Sequence, residues 1–417
     1  MEINLLLRIR HKIYLVSPEW GKRILERAYW KARFIRLDLK IKFRMLRGGT
    51  KSVKTNEIVY VNPSEIRYCS LTDNNKYKNI CTIEGGDWDL KRKPIEDMDI
   101  FIALREHFEN GAPLSKSKAH NRILKEIEKG VSKWGCQTEE ELNARWRGID
   151  ELYFDIKTKG YQTQRERGNP DFVDEVTVKI GRDGELLFED GRHRLSIAKI
   201  LGLKSIPVLI TKRHREWAKF KAKLLSYSQE HRVYQPLLHP DLMSIPSSKR
   251  NERISVILDN LPCHKGEVLD IGANWGYFCH ILEDAGFTCY AVENSLEALY
   301  FLNKLKSVER KRFDIIAKSV FDIEKVSYDI VLALSIFHHF LKNEYDYHKL
   351  TEFLGKLDTR FMFFEPHKFN EQQMRNAYIN YTEIEFVEYI LSNSCLNTYT
   401  FLGRLKEDGR GIYLFKR

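Results

Sequence analysis

Paired cysteines are missing from this sequence. Its seven cysteines, at 69, 81, 136, 263, 279, 289 and 395, lie scattered with no Cys-x-x-Cys among them. That spacing excludes a disulfide scaffold and a zinc ribbon, and it fits a reduced, cytoplasmic compartment. Long apolar runs are missing too: none approaches the roughly 18 residues that a membrane span needs. No signal-peptide pattern opens the chain, and neither an internal repeat nor a low-complexity tract interrupts it. What remains, with 43% hydrophobic and 30% charged residues over 417 positions, is the composition of a globular protein of two or three domains.

The net charge of +11 is unevenly spread, because Met1 to Gly49 alone holds 13 Lys/Arg against 4 Asp/Glu. This stretch interleaves its charge with Tyr14, Trp20, Tyr29 and Trp30; Ser17-Pro18-Glu19 suits a helix start, and Arg36 to Met45 alternates as a strand does. Two readings stand side by side. One is a peripheral surface for the inner face of a membrane or an acidic partner; the other is an ordinary solvated face covering the next domain. Four regions follow: a basic segment 1–50, a small α/β domain over 51–220, a connecting helix and linker over 221–250, and a doubly wound α/β domain over 251–417. The linker is marked by YQPLLHPDLMSIPSSKR, with three prolines and three serines. In the first domain, helical patterns cover roughly 97–108, 120–130 and 138–160. DEVTVKIGRDGELLFEDGRHRLSIAKILGLKSIPVLI then reads as strand, Asp-Gly turn, strand, helix and strand.

The chemistry concentrates in EVLDIGANWGYFCHILEDAGFTCYAVENS. A strand over 267–271 ends in Asp270, Gly272 and Gly276 permit close backbone approach, a helix covers 277–285, and a second strand over 288–292 ends at Glu293. A carboxylate there, about 20 residues past the glycine turn, is placed to hold two ribose hydroxyls. The turn is not Gly-x-Gly-x-x-Gly, since Asn274 stands between its glycines. The acid preceding the turn suits the ammonium of a cofactor with an amino-acid end, which is S-adenosylmethionine. Over about 250–417 the chain resembles the class I S-adenosylmethionine-dependent methyltransferases, and DIGANWGYF resembles the FkbM-type glycine motif. The resemblance implies a Rossmann-like, mostly parallel sheet. It puts Asp270, Gly272, Asn274 and Gly276 at the methionine end, Glu293 at the ribose and Asp322 of SVFDI near the adenine. SYDIVLAL and RFMFFE become its fourth and fifth strands, and NTYTFLGRL with RGIYLFKR its closing hairpin.

Ligands of open α/β sheets lie at the carboxyl ends of the strands. SIFHHF sets His338 and His339 there, and FFEPH adds Glu365 and His367. Transfer to oxygen needs a base for the hydroxyl proton, and imidazole suits it, so at least one of these three histidines is expected to be catalytic. SIFHHF is neither the NPPY-like nor the lysine-rich set usual in nucleic-acid methyltransferases. With a nearly neutral domain around it, that favours a polar small-molecule or glycan acceptor.

FEDGRHRLSIAKILGLKSIPVLI, over 188–210, resembles the ParB/sulfiredoxin superfamily. The resemblance puts Gly191, Arg192, His193 and Arg194 at a phosphate-binding turn for ATP or ADP, with magnesium. It makes the domain a nucleotide-binding module or small-molecule kinase in which Asp190 or Glu189 serves as base. GGDWD (85–89) and Asp174-Glu175 would add carboxylates for substrate or metal. Arg192 stands where sulfiredoxins carry their cysteine, so that activity is not expected. The arrangement resembles fusions of the two domains associated with surface-glycan biosynthesis. The alternatives are a scaffold without activity, and a nucleic-acid-binding protein whose methyltransferase domain modifies DNA or RNA.

Overall fold

A computed structural model describes residues 58–72, 79, 82–168, 174–227, 232–248 and 252–417. The basic segment 1–50, with its expected helix start and strand, lies outside them. By its contacts the chain divides into two units, Met1–Lys219 and Phe220–Arg417.

The first unit is a mixed sheet with helices packed together beside it. Its strands are β1 (Ile58–Val61), β2 (Tyr68–Ser70), β3 (Thr82–Glu84), β4 (Arg92–Pro94), β5 (Val176–Ile180), β6 (Leu186–Asp190) and β7 (Ile206–His214). They run in the order β1-β7-β5-β6-β2-β4, with β3 also on β7. β5 and β6 form the expected antiparallel hairpin, and Gly184 in its turn takes φ 93°, a conformation glycine adopts without steric cost. β7 is buried along its whole length, which suits the apolar Ile206–Ile210 half and also buries Thr211, Lys212, Arg213 and His214. The helices Asp99–Asn110, Lys118–Glu128 and Glu139–Lys159 fall close to the expected ranges. The last shows why: the Thr138 hydroxyl accepts from Glu141 N at 3.2 Å, three glutamates occupy the first turn, and Gly160 ends it. Ile100, Leu104, Ile123, Leu142 and Ile149 form the buried seam between these helices.

The second unit has the strands β8 (Glu267–Ile271), β9 (Thr288–Val292), β10 (Asp314–Ile316), β11 (Ser327–Leu334), β12 (Asp358–Glu365), β13 (Thr398–Arg404) and β14 (Gly411–Lys416). Their order is β10-β9-β8-β11-β12-β14-β13. The strands from β8 to β12 pair in parallel, and β14 runs antiparallel to both its neighbours. The chain winds outward from β8 to β10, then crosses back to β11 and winds the other way. Its switch point therefore lies between β8 and β11, where such sheets open a crevice at their carboxyl ends. Leu269, Val331, Met362 and Phe364 fill the core beneath. The stretch read as a linker does not hang free of this unit. Leu237 and Leu242 are buried, and Val233 N donates to Pro246 O at 2.9 Å, closing the segment on itself.

Candidate functional site

A cavity of about 760 Å³ opens at that switch point. Its floor is built by the ends of β8, β9 and β11, through Asp270, Glu293 and Ser335 among others. Leaving β8, the chain turns through Gly272 (φ 72°), Asn274 (φ 54°) and Gly276 (φ 80°) before the helix Tyr277–Asp284. A Cβ on Gly272 would stand 2.7 Å from Ile336 Cδ1, and one on Gly276 would stand 2.6 Å from Leu302 Cδ1. Gly272 lines the cavity, whereas the space at Gly276 is taken by Leu302 of the helix Leu296–Val308 and by Phe313, so its role is packing.

Asp270 is buried, and its recorded side-chain donor is the Cys279 thiol, 3.6 Å from Oδ2. Burial, with Glu293 nearby, pushes its carboxyl up to about 7. A cation arriving there would favour the ionised form, which is what the ammonium of an amino acid offers. Glu293 faces the other end of the turn. Its Oε2 accepts from Asn274 N at 2.9 Å, and its Oε1 accepts from Asn294 N at 2.9 Å and Ser295 N at 2.8 Å. The carboxylate thus pins the glycine turn to the start of the helix Leu296–Val308, with one lone pair, on Oε2, left for a hydroxyl donor. Asn274 Oδ1 is buried and has no hydrogen-bond partner. These features fit S-adenosylmethionine: an acceptor for its ammonium, a carboxylate for its ribose, and a wall where a side chain cannot stand.

Asp322 does not line the cavity. The segment meets it through Lys318, Ser319 and Val320 instead, because Val320–Asp322 is a 3₁₀ turn that carries the later residue round to another face.

The histidines cluster beyond β11 and β12. The rings of His338 and His339 lie 4.2 Å apart, and those of His338 and His367 lie 5.6 Å apart. His338 and His339 line the cavity; His367 stands behind them. Their partners fix two of the three tautomers. Asn380 Nδ2 donates to Phe369 O at 2.9 Å, so its Oδ1 is the atom 2.8 Å from His367 Nε2, and that nitrogen carries the hydrogen. Lys342 Nζ stands 3.3 Å from His339 Nδ1; an ammonium only donates, so the His339 hydrogen sits on Nε2. His338 is buried with both ring nitrogens unpartnered, and burial with its charged neighbours pushes it down to about 2.

Several residues at this site carry no signal in the sequence. Ser335, held at φ 55°, donates from Oγ to Glu365 Oε1 at 2.5 Å and accepts from Arg410 Nη1 at 2.5 Å. Arg410 also donates to Glu371 at 2.5 Å, and Arg253 pairs with Glu365 at 3.3 Å. Tyr227, Tyr234 and Gln235, from the stretch read as helix and linker, form a wall of the cavity. Arg253 sits among buried isoleucines of a short helix and Arg410 just precedes an ordinary hairpin strand, so neither breaks a pattern.

In the first unit the glycine turn is used differently from its reading. Gly191 (φ 94°) packs on Val176, whose Cα a Cβ would meet at 3.0 Å. Asp190 Oδ1 accepts from Gly191 N at 2.8 Å. Arg194 donates to Asp174 O and stands 3.8 Å from Glu175. The His193 ring meets Trp134 edge-on at 4.9 Å, and burial pushes it down to about 3. Arg192 begins the helix Arg192–Ile200, partly exposed. Glu189 is buried, accepting from Asn79 and Thr211 at 2.5 Å each, with Lys179 3.8 Å away. Asp87 and Asp89 both take the Arg182 guanidinium, at 2.7 and 2.8 Å, fastening the hairpin turn. No group of three or more His, Cys, Asp or Glu among the described residues is arranged to hold a metal.

Residues 269–354 match the family described as a methyltransferase domain. No curated protein matches the chain. Among solved structures it is similar to the bifunctional kinase-methyltransferase WbdD, at 18% identity over 47% of this chain and 45% of that one, TM-score 0.39. It is similar to magnesium protoporphyrin IX methyltransferase ChlM of Synechocystis PCC 6803, at 16% over 39% and 75%, TM-score 0.31. N-methyltransferase NodS of Bradyrhizobium japonicum WM9 is matched at 10% over 41% and 96%, TM-score 0.34. The chain therefore spans less than half the length of WbdD. The family match supports a methyltransferase domain over 269–354 and S-adenosylmethionine as its cofactor.

Proposed function

We propose that the second unit is an S-adenosylmethionine-dependent O-methyltransferase for a polar small-molecule or glycan acceptor. The observation carrying this reading is one cavity with Asp270 at one end of a glycine turn and Glu293 at the other. Asp270 would hold the ammonium, Glu293 the ribose, and the Gly272 wall the chain between them. Bound there, the cofactor supplies a methyl group activated on a sulfonium. His338 accepts a hydrogen bond from the attacking hydroxyl and takes its proton as methyl transfer makes that oxygen an acidic oxonium, since His339 presents N–H and the free lone pair of His367 lies behind the cavity wall. Neutral imidazoles also spare the sulfonium a repelling neighbour. Titration of the full chain with S-adenosylmethionine tests the reading: Glu293→Ala should weaken binding by roughly 2–4 kcal/mol.

For the first unit we propose a nucleotide-binding module, with a kinase activity and a role in surface-glycan synthesis as its extension. Its support is the resemblance of 188–210. His193 and Arg194 are engaged within the unit, so Arg192 is the side chain that would meet a phosphate. ATP binding with magnesium that is lost in Arg192→Ala would sustain it, and no binding would leave a scaffold. No helix among the described residues is long and apolar enough to cross a membrane. For residues 1–49 the proposal is salt-sensitive binding to anionic lipid, tested by their deletion in a liposome assay.

A further inference from the structure

Gln235 is 4% exposed, lines the cavity, and has its Oε1 buried without a hydrogen-bond partner. An amide oxygen removed from water and given no donor is costly, so on a cavity wall it marks where a ligand donor belongs. Its neighbours say which end of the cavity this is. The preceding residue, Tyr234, has its ring 5.7 Å from the Arg253 guanidinium. Arg253 lies 5.9 Å from the ring of Phe278, in the first turn of the helix after Gly276, and its charge reaches Asp270. Gln235 thus belongs to the Asp270 end of the cavity.

Three acceptors line the cavity around the glycine turn: the Asp270 carboxylate with a weak thiol donor, Asn274 Oδ1 and Gln235 Oε1, the last two unpartnered. A group with several N–H donors and a positive charge satisfies such a set, and an ammonium is that group. We infer that Gln235 is a specificity-determining residue for the amino-acid end of the cofactor, its Oε1 accepting from the α-ammonium that Asp270 balances. The inference rests on the cofactor reading above and adds a residue from outside the glycine turn, on a stretch whose prolines and serines read as a linker.

The test compares two ligands on the full chain by calorimetry: S-adenosylhomocysteine, and 5′-methylthioadenosine, which has the same adenosine thioether without the amino-acid end. Gln235→Leu should weaken S-adenosylhomocysteine about tenfold or more, as expected for a lost hydrogen bond to a charged group, and leave 5′-methylthioadenosine unchanged. Gln235→Glu, which keeps an oxygen acceptor, should restore the first ligand. Equal loss of both ligands, or no loss of either, overturns the inference while leaving the methyltransferase reading intact. If the wild type binds neither ligand, both fall. Should Gln235→Leu not fold, Gln235→Asn withdraws the same oxygen and must discriminate the two ligands in the same sense.

Discussion

Asp270 carries the sharpest consequence at the scale of single residues. Its carboxyl, pushed up to about 7 by burial and then by Glu293, is half protonated near neutrality in the free protein. Binding a cationic ammonium needs the ionised form, so below pH 7 binding must first release a proton. Affinity for S-adenosylhomocysteine should fall about tenfold per pH unit below 7 and level off above it. Calorimetry near pH 6.5 in buffers of different ionisation enthalpy should show that proton leaving; a flat profile from pH 5.5 to 8 would contradict the assignment. The histidines make the opposite prediction. All three are lowered, in each case first by burial, and His338, pushed down to about 2, should not titrate between pH 5.5 and 8. Nitrogen NMR should find His339 and His367 as fixed Nε2–H tautomers, and an ordinary titration near 6.5 at His338 would remove it as the neutral group described here.

Among elements, the turn between β8 and its helix is the one that substitution should damage most selectively. Gly276→Ala forces a side chain into φ 80° and onto Leu302 at 2.6 Å, so it should lower the melting temperature, by about 1–3 kcal/mol of stability. Gly272→Val obstructs Ile336 and the cavity together, and should abolish cofactor binding as well. Glu293→Ala strips three backbone N–H groups of their acceptor, so it should soften the turn besides losing the ribose contact; a thermal shift reads the first effect and calorimetry the second. Elements with local punctuation were legible in the sequence: Thr138 and Gly160 bracket a helix, Asp183-Gly184 marks a hairpin, and DIGANWG sits at a strand end. Asp322 was not, because a 3₁₀ turn decides which of four successive residues faces inward, and that depends on packing. Gln235 and Arg253 were invisible for the same reason: their roles come from contacts far apart in sequence.

For the whole molecule, the division at Lys219 and Phe220 implies that the methyl-transfer site is complete within residues 220–417. A fragment starting at Phe220 should bind S-adenosylhomocysteine as the full chain does, while one starting at 251 should bind it poorly, having lost Tyr227, Tyr234 and Gln235. Composition alone suggested a linker there, since prolines and serines say where a helix cannot run but not what the chain then leans against. Deleting 1–49 should leave that affinity unchanged. The central claim, that Asp270 and Glu293 flank one cofactor, is tested most directly by titrating the full chain with S-adenosylmethionine at pH 8. The account predicts a single site in the wild type, weakened at least tenfold by Asp270→Asn and by Glu293→Gln separately. Absence of binding by the wild type, or undiminished affinity in both variants, would contradict it.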